Sequence, residues 1–193
     1  MLPEIDGQII KNVVVSANGY TCHGDIVCTR YGLEGKPIYA VNRGVRHQVK
    51  PTIIIDFKPQ MSYEKIIHIL RKSKTHTLGL KELKLPAVAL FWLKTFVSKE
   101  AFNDPNRLAE QIKSFKVAIK GFRPIEEVIS TAGGVAISAL DEFGEIVKLP
   151  RVFCAGEMID WDAPTGGYLI QGCVSSGWTV GKRIAEKLLI DSR

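Results

Sequence analysis

The first part of the chain alternates short runs of β-branched residues with residues that form turns. Runs of this kind, bounded by glycine, asparagine or proline, are typical of β-strands. They are Ile9–Ala17, Asp25–Thr29 and Thr52–Phe57. Asn18 and Gly19 both tolerate a positive φ, so they predict a hairpin turn directly after the first run. We therefore expect residues 1–59 to form a β-rich region.

The middle of the chain, residues 60–114, shows the spacing of amphipathic helices. Ile66 and Leu70 are separated by one helical turn, and Ser62 before them can cap a helix through its hydroxyl group. Asp104, followed by a proline, predicts a second helix start. The apolar and aromatic residues of this region fit a core, and no polar cluster indicates catalysis.

The last part of the chain, residues 115–193, predicts short strands followed by a long helix. Residues 115–122 (FKVAIKGF) alternate like a strand, and residues 135–140 (VAISAL) are interpreted as another. Residues 151–155 (RVFCA) form a short apolar run, which is typical of a buried strand in a parallel sheet. The three regions follow one another without a low-complexity linker.

The final helix is expected to begin at Gly166 and Gly167. A stripe of apolar and small residues recurs along it at helical intervals, and we predict that this stripe is buried. It consists of Ile170, Val174, Gly177, Gly181, Ile184 and Leu188. Charged residues such as Lys182 and Glu186 fit the solvent-exposed side.

Composition and charge exclude several classes of protein. The chain has 193 residues and a net charge of +6, with basic residues spread out rather than gathered in a block with aromatics, so we do not expect nucleic-acid binding. Its four cysteines form no C-x-x-C pair and its histidines complete no zinc pattern, so we expect reduced thiols and no metal site. No apolar run is long enough to span a membrane and no signal-peptide pattern is seen, so a cytoplasmic location is expected.

Two glycine-rich turns in the last region carry the candidate chemistry. One is the segment TAGGV (131–135), and the other contains Gly166 and Gly167 before the long helix. A helix start presents unpaired N–H groups and a partial positive charge, and glycines allow a ligand to approach that backbone closely. Glu157 follows the predicted buried strand, where ligands of open α/β sheets bind. The alternative is that these glycines only shape loops, but two turns and a carboxylate in one region favour a ligand site.

The segments STAGGV (130–135), FCAGEMIDWDAPTGGYL (153–169) and SSGW (175–178) resemble the carboxyl-terminal part of a known family. This is the BaiN-like, aminoacetone oxidase-type family of NAD(P)/FAD-dependent flavoproteins. Upstream, GDIVCTRYGLEGKPIYAV (24–41) resembles the insertion segment of the same family, so the likeness covers essentially the whole chain. The resemblance implies an α/β fold with insertions: a small β-barrel-like lobe, a helical lobe, and the carboxyl-terminal part of an FAD-binding Rossmann-type domain.

The resemblance also implies which residues contact FAD. The first glycine turn would line the flavin, Gly156 and Glu157 would meet the ribityl and diphosphate region, and the helix start would face the pyrimidine end of the flavin. The implied cofactor-binding residues are Thr131, Ala132, Gly133, Gly134, Val135, Gly156, Glu157, Asp160, Thr165, Gly166, Gly167 and Tyr168. NAD(P)H is the implied reductant. No residue is singled out as a catalytic acid or base.

The chain departs from the family pattern at two points. Many members carry Asn after GGY, where this chain has Leu169. The G-x-G-x-x-G loop that binds the ADP pyrophosphate does not occur in the sequence, and Gly32–Lys36 (GLEGK) does not match it. We therefore expect an incomplete FAD site, completed by an amino-terminal half from the same gene or an adjacent one, and an isolated chain that purifies colourless and is inactive. The substrate would be a small molecule.

Two other interpretations remain open at this point. In the first, the chain is a non-catalytic binding or interaction module, and the turns that would contact the flavin are vestigial. In the second, which has less support, the small β-rich lobe binds RNA. A G-x-G-x-x-G segment encoded nearby would favour the enzyme, whereas salt-insensitive affinity for RNA would favour the nucleic-acid interpretation.

Overall fold

The computed structural model describes residues 5–73 and 76–191, and the chain divides into two compact units between Phe122 and Arg123. The ends of the first and last predicted regions, and residues 74–75 within the second, lie outside the described residues. Both α-helices and β-strands are present, so the expected α/β class is confirmed. Among the described residues, no helix is both long enough and apolar enough to cross a membrane.

The first unit contains an antiparallel sheet with the strand order β3-β2-β1-β4-β5. Its strands are β1 (Ile9–Ala17), β2 (Tyr20–Cys28), β3 (Leu33–Glu34), β4 (Thr52–Asp56) and β5 (Phe115–Ala118). Asn18 and Gly19 form the turn between β1 and β2 with φ values of 44° and 85°, which confirms the predicted hairpin. The hydrogen-bonded order leaves β3 and β5 at the edges of this five-stranded sheet, which lies in the region where the resemblance implies a small β-barrel-like lobe.

Six helices accompany this sheet in the described part of the first unit. They are α1 (Lys36–Arg46), α2 (Tyr63–Lys72), α3 (His76–Glu82), α4 (Ala87–Phe96), α5 (Lys99–Asn103) and α6 (Pro105–Lys113). The two predicted helix starts are confirmed by their caps. Ser62 Oγ accepts a hydrogen bond from Lys65 N, and the Asp104 carboxylate accepts from the first N–H groups of α6.

The core of the first unit lies between the sheet and these helices. Ile10, Ile55 and Leu108 are fully buried in it, together with side chains from α1, α2 and α4. Phe57, Trp92 and Phe115 form an aromatic cluster with ring centroids 5.4–6.2 Å apart. Because Phe115 begins β5 and β5 pairs with β4, residues 115–118 belong to the first unit.

The second unit contains one long helix and mostly irregular backbone. The helix is α7 (Gly167–Asp191), and it begins where the two adjacent glycines predicted. Short 3₁₀ turns precede it at Ile125–Glu127, Ile137–Ala139 and Gly156–Met158.

Two predicted strands of the second unit are wrong. Residues 135–140 form a 3₁₀ turn flanked by single bridges, and residues 151–155 make only one antiparallel bridge, between Phe153 and Glu145. Cys154 is nevertheless buried, as the apolar run suggested. A strand needs neighbours to accept its backbone hydrogen bonds, and the described residues supply none beyond that bridge.

The predicted buried stripe of α7 is also wrong for most of its length. Ile170, Val174 and Leu188 are exposed, and only Ile184 is partly buried. Leu169 and Val180, about a quarter of a turn from that stripe, are the buried apolar side chains of α7 among those that the structure describes. The helix therefore has a second apolar side, and that second side is the one packed within the unit.

Candidate functional site

The start of α7 is open. Gly166 adopts a φ of +111°, which a glycine tolerates far better than other residues, and Ile170 N donates to its carbonyl oxygen. A Cβ atom placed on either Gly166 or Gly167 would have no neighbour within 4 Å. Within the described ranges, no group accepts a hydrogen bond from the N–H of Gly167, Tyr168 or Leu169. This end of α7 thus presents free donors and the positive end of the helix dipole.

The first glycine turn lies beside the segment that leads to α7. Val135 N donates to Met158 O at 2.9 Å, and Asp160 N donates to Val135 O at 2.8 Å. Gly133 and Gly134 have φ values of +95° and +149°. A Cβ atom on Gly134 would overlap the carbonyl oxygen of Met158, so this close approach requires glycine.

Hydrogen bonds of Glu157 and Thr165 join the first glycine turn to the chain before α7. Its Oε1 accepts a hydrogen bond of 2.7 Å from Thr131 N, so one carboxylate oxygen is engaged within the protein. Thr165, just before Gly166, shares a 2.7 Å hydrogen bond with the hydroxyl of Ser130. The sequence predicted that Glu157 binds ligand hydroxyl groups, whereas in the structure its carboxylate also binds the backbone of the first glycine turn.

The twelve predicted cofactor-binding residues thus fall into three connected segments. Residues 131–135 (Thr131, Ala132, Gly133, Gly134, Val135) contact residues 156–160 (with Gly156, Glu157 and Asp160), and residues 165–168 (Thr165, Gly166, Gly167, Tyr168) connect to them through Ser130. Tyr168 is 69% exposed and packs against no core. Gly156 donates its N–H to Ser176 Oγ on α7 at 2.9 Å.

Three further residues support this site and were not predicted as part of it. Ser176 Oγ accepts a hydrogen bond from Gly156 N and donates one to Cys173 O. Trp161 Nε1 donates to Gly156 O at 3.1 Å, and the indole lies directly against Gly172 on α7. The small-residue run at 172–177 was the available signal, because small residues on a helix allow a neighbouring group to approach closely.

A groove of ≈ 720 Å³ runs along α7 beyond these residues. Leu140, Phe143, Cys154, Trp161 and Val180 line it, so most of its surface is apolar. Among the predicted site residues only Gly156 reaches it. No group of three or more potential metal ligands was found in the part of the chain that the structure describes.

A comparison with protein families identifies the family of the chain. The family model described as HI0933-like protein Rossmann domain matches residues 10–183, which include most of the first unit and the whole of the candidate site. A match of this extent shows the family, and we conclude that the chain belongs to the HI0933-like Rossmann domain family.

Proposed function

We propose that this chain forms the flavin-contacting part of an FAD-dependent oxidoreductase of the BaiN-like type. The observation that carries the proposal is the open start of α7, where two glycines leave unengaged N–H groups beside a second glycine turn. Family membership supports a flavin as the ligand. Fold membership alone does not determine function, so the proposal depends on this site.

The residues present fit a flavin. Gly166 and Gly167 would admit a flat ring system to van der Waals distance, because no side chain covers their backbone. The N–H groups of Gly167 and Tyr168 would donate to a carbonyl edge of that ring, where the helix dipole also favours negative charge. Residues 131–135 would border the ring on another side, since Glu157 holds that turn next to the loop before α7.

The chemistry that a bound flavin supplies is hydride acceptance and donation. This chain would contribute orientation and electrostatic stabilisation, because helix-start donors preferentially stabilise the negative charge that develops on the ring upon reduction. NAD(P)H is the proposed reductant and a small molecule the proposed substrate. A G-x-G-x-x-G segment on another stretch of polypeptide would bind the ADP moiety, and FAD affinity of this chain alone is therefore expected to be low.

The variant Gly167→Val tests the proposed contact. A Cβ atom at this position would have no protein atom within 4 Å, so we expect the variant to fold normally. The valine side chain would block access to the N–H groups at the start of α7. The matched control is Gly121→Val. Gly121 belongs to the first unit, and a Cβ atom added there would also have no neighbour within 4 Å.

We expect FAD titration, followed by flavin fluorescence, to give an affinity that falls about tenfold or more in Gly167→Val, a loss of at least 1.4 kcal/mol. The control should bind like the unmodified chain. Equal affinity in both variants would refute contact at the helix start. An isolated chain that purifies yellow with stoichiometric flavin would refute the expected incompleteness of the site.

A further inference from the structure

The positive charge of the chain is concentrated in its first unit. Residues 1–122 contain 19 lysine and arginine residues against 10 aspartate and glutamate residues, whereas residues 123–193 contain 7 against 10. An excess of basic residues of this size attracts anionic ligands and speeds their encounter with the protein. An anionic ligand is therefore drawn to the first unit, and one groove on that unit has the form to bind it.

This groove lies between α2 and α6 and has a volume of ≈ 560 Å³. We call it the α2–α6 groove. The α2 residues that line it recur at intervals of three and four residues, so they share one side of that helix. The buried side of α2, with Ile66 and Leu70, faces away from it. The lining residues are Glu64, Ile67, His68, Arg71 and Lys72 of α2 and Asn106 of α6.

Hydrogen bonds between the two helices hold the groove in shape. Tyr63 OH donates to Asn106 O at 3.1 Å, and Arg71 Nη2 donates to Asn106 Oδ1 at 3.2 Å. Ile67 packs against the core of the first unit and also lines the groove, so it supplies an apolar surface that is anchored to the fold. A groove fixed in this way needs little reorganisation to accept a ligand, which lowers the free-energy cost of binding.

The cationic side chains of the groove keep donors for an anion. In the described part of the chain, no carboxylate forms an ion pair with Arg71 or Lys72. The Arg71 guanidinium has five N–H groups, and its bond to Asn106 engages one of them. The remaining guanidinium donors and the Lys72 ammonium group are therefore available to a carboxylate from outside the unit.

Two carboxylates act near these cations, and both are engaged at helix starts. Glu64 accepts hydrogen bonds from its own N–H and from the Ser62 hydroxyl group at the start of α2. Asp104 accepts from the first N–H groups of α6, and it attracts Arg71 without forming an ion pair with it. The backbone thus holds both carboxylates, and neither occupies the donors of the groove.

We propose that the α2–α6 groove binds an acidic segment of a partner protein. A carboxylate of that segment pairs with Arg71 and Lys72, and a neighbouring apolar side chain packs on Ile67. A planar guanidinium suits this role because it presents two parallel N–H groups to the two oxygens of a carboxylate. The groove belongs to the first unit, so the proposal does not depend on flavin binding by the second.

Other anions match the groove less well. A free phosphate ion would leave the apolar surface of Ile67 unused. A single-stranded nucleic acid binds largely by stacking its bases on aromatic side chains, and none of the residues that line the groove is aromatic. An acidic segment with an apolar side chain uses both the cations and the apolar surface.

A dye-labelled peptide that repeats Glu-Leu-Glu, titrated against the whole chain and followed by fluorescence anisotropy, tests the groove. We expect saturable 1:1 binding. Replacing the glutamates of the peptide with glutamine should weaken it at least tenfold, because the charged hydrogen bonds are lost. Replacing its leucines with serine should weaken it about fivefold, because the contact with Ile67 is lost.

Variants of the chain locate the binding. Arg71→Gln should weaken it about tenfold, and Arg71→Lys about threefold, because lysine keeps the charge but not the paired N–H groups. Lys72→Gln should weaken it about fivefold. The matched control is Lys94→Gln, which removes the same charge from an exposed lysine of α4 that does not line the groove, and it should leave the affinity within about twofold. Because Arg71 and Lys72 are exposed, we expect these variants to fold, and circular dichroism checks this.

Three results would overturn the inference. The first is the absence of saturable peptide binding. The second is an equal loss of affinity in Lys72→Gln and Lys94→Gln, which would show attraction by the overall charge of the unit without a site. The third is displacement of the labelled peptide by an oligouridylate at a lower concentration than by the unlabelled peptide, which would make a nucleic acid the better ligand.

Discussion

Replacing Gly172 with alanine should destabilise the second unit by crowding Trp161. The position of an added Cβ overlaps the edge of the indole ring, and two further ring carbons would lie at 3.0 and 3.2 Å. Since Trp161 Nε1 also donates to Gly156 O at 3.1 Å, the ring cannot move away without weakening that bond. Gly156 precedes Glu157, whose carboxylate binds the first glycine turn, so the disturbance would reach the candidate site.

The size of the effect follows from three contributions. Inserting a methyl group into a packed contact costs about 1–3 kcal/mol. Weakening the indole hydrogen bond costs about 1 kcal/mol more. Alanine in place of glycine recovers about 1 kcal/mol of helix propensity. The free energy of unfolding should therefore fall by about 1–3 kcal/mol, or about 2–4 °C in Tm for each kcal/mol.

Urea unfolding monitored by circular dichroism measures this change, with Gly181→Ala as the matched control. That control makes the same substitution in the same helix, but its Cβ meets no atom, so it should stabilise the chain by about 1 kcal/mol. In the Gly172→Ala background, Trp161→Phe should recover part of the loss by removing the crowded ring edge. Equal stabilisation by both alanines would refute the packing of Trp161 on α7.

Three further outcomes are expected. Lys113→Met should lower the free energy of unfolding by about 1–3 kcal/mol in urea denaturation, because Lys113 Nζ lies 2.6 Å from a partly buried Asp56 carboxylate oxygen and donates to two backbone carbonyls that would lose their donor. Burial raises the pKa of Cys28 to about 11, so stability should decline as pH rises above the usual thiol value near 9, and urea midpoints of Cys28→Ala should lack that slope. Hydrogen bonds from the first N–H groups of α6 lower the pKa of Asp104. The stability that these bonds contribute is therefore present above the unfolded-state pKa of the carboxyl group and is lost as the pH falls through its folded-state pKa. We expect Asp104→Asn to reduce the fall of Tm at acid pH.

The elements that the sequence predicted well are those that local chemistry determines. Asn18 and Gly19 accept positive φ, so the hairpin needed no information from distant residues. Ser62 and Asp104 cap their own helices through hydrogen bonds that span two or three residues. The glycines before α7 predicted its first residue for the same reason.

The predictions that failed depend on distant partners. An apolar run such as 151–155 favours a strand, but a strand forms only where neighbouring backbone accepts its hydrogen bonds. Likewise, helical periodicity identified Ile170 and Val174 as an apolar side of α7, but it carries no information on whether that side is covered. The packed side, with Leu169 and Val180, is shorter and interrupted by polar residues, so the periodicity favoured the exposed one.

The sequence predicted which kinds of residue form the candidate site, but it did not predict the contacts between them. Glycine turns and a carboxylate indicated a ligand site, but the hydrogen bond from Thr131 N to Glu157 joins residues far apart in sequence. Trp161 was not predicted as part of the site, and its packing on Gly172 is seen only in the structure. That role explains why a bulky aromatic lies beside so many small residues.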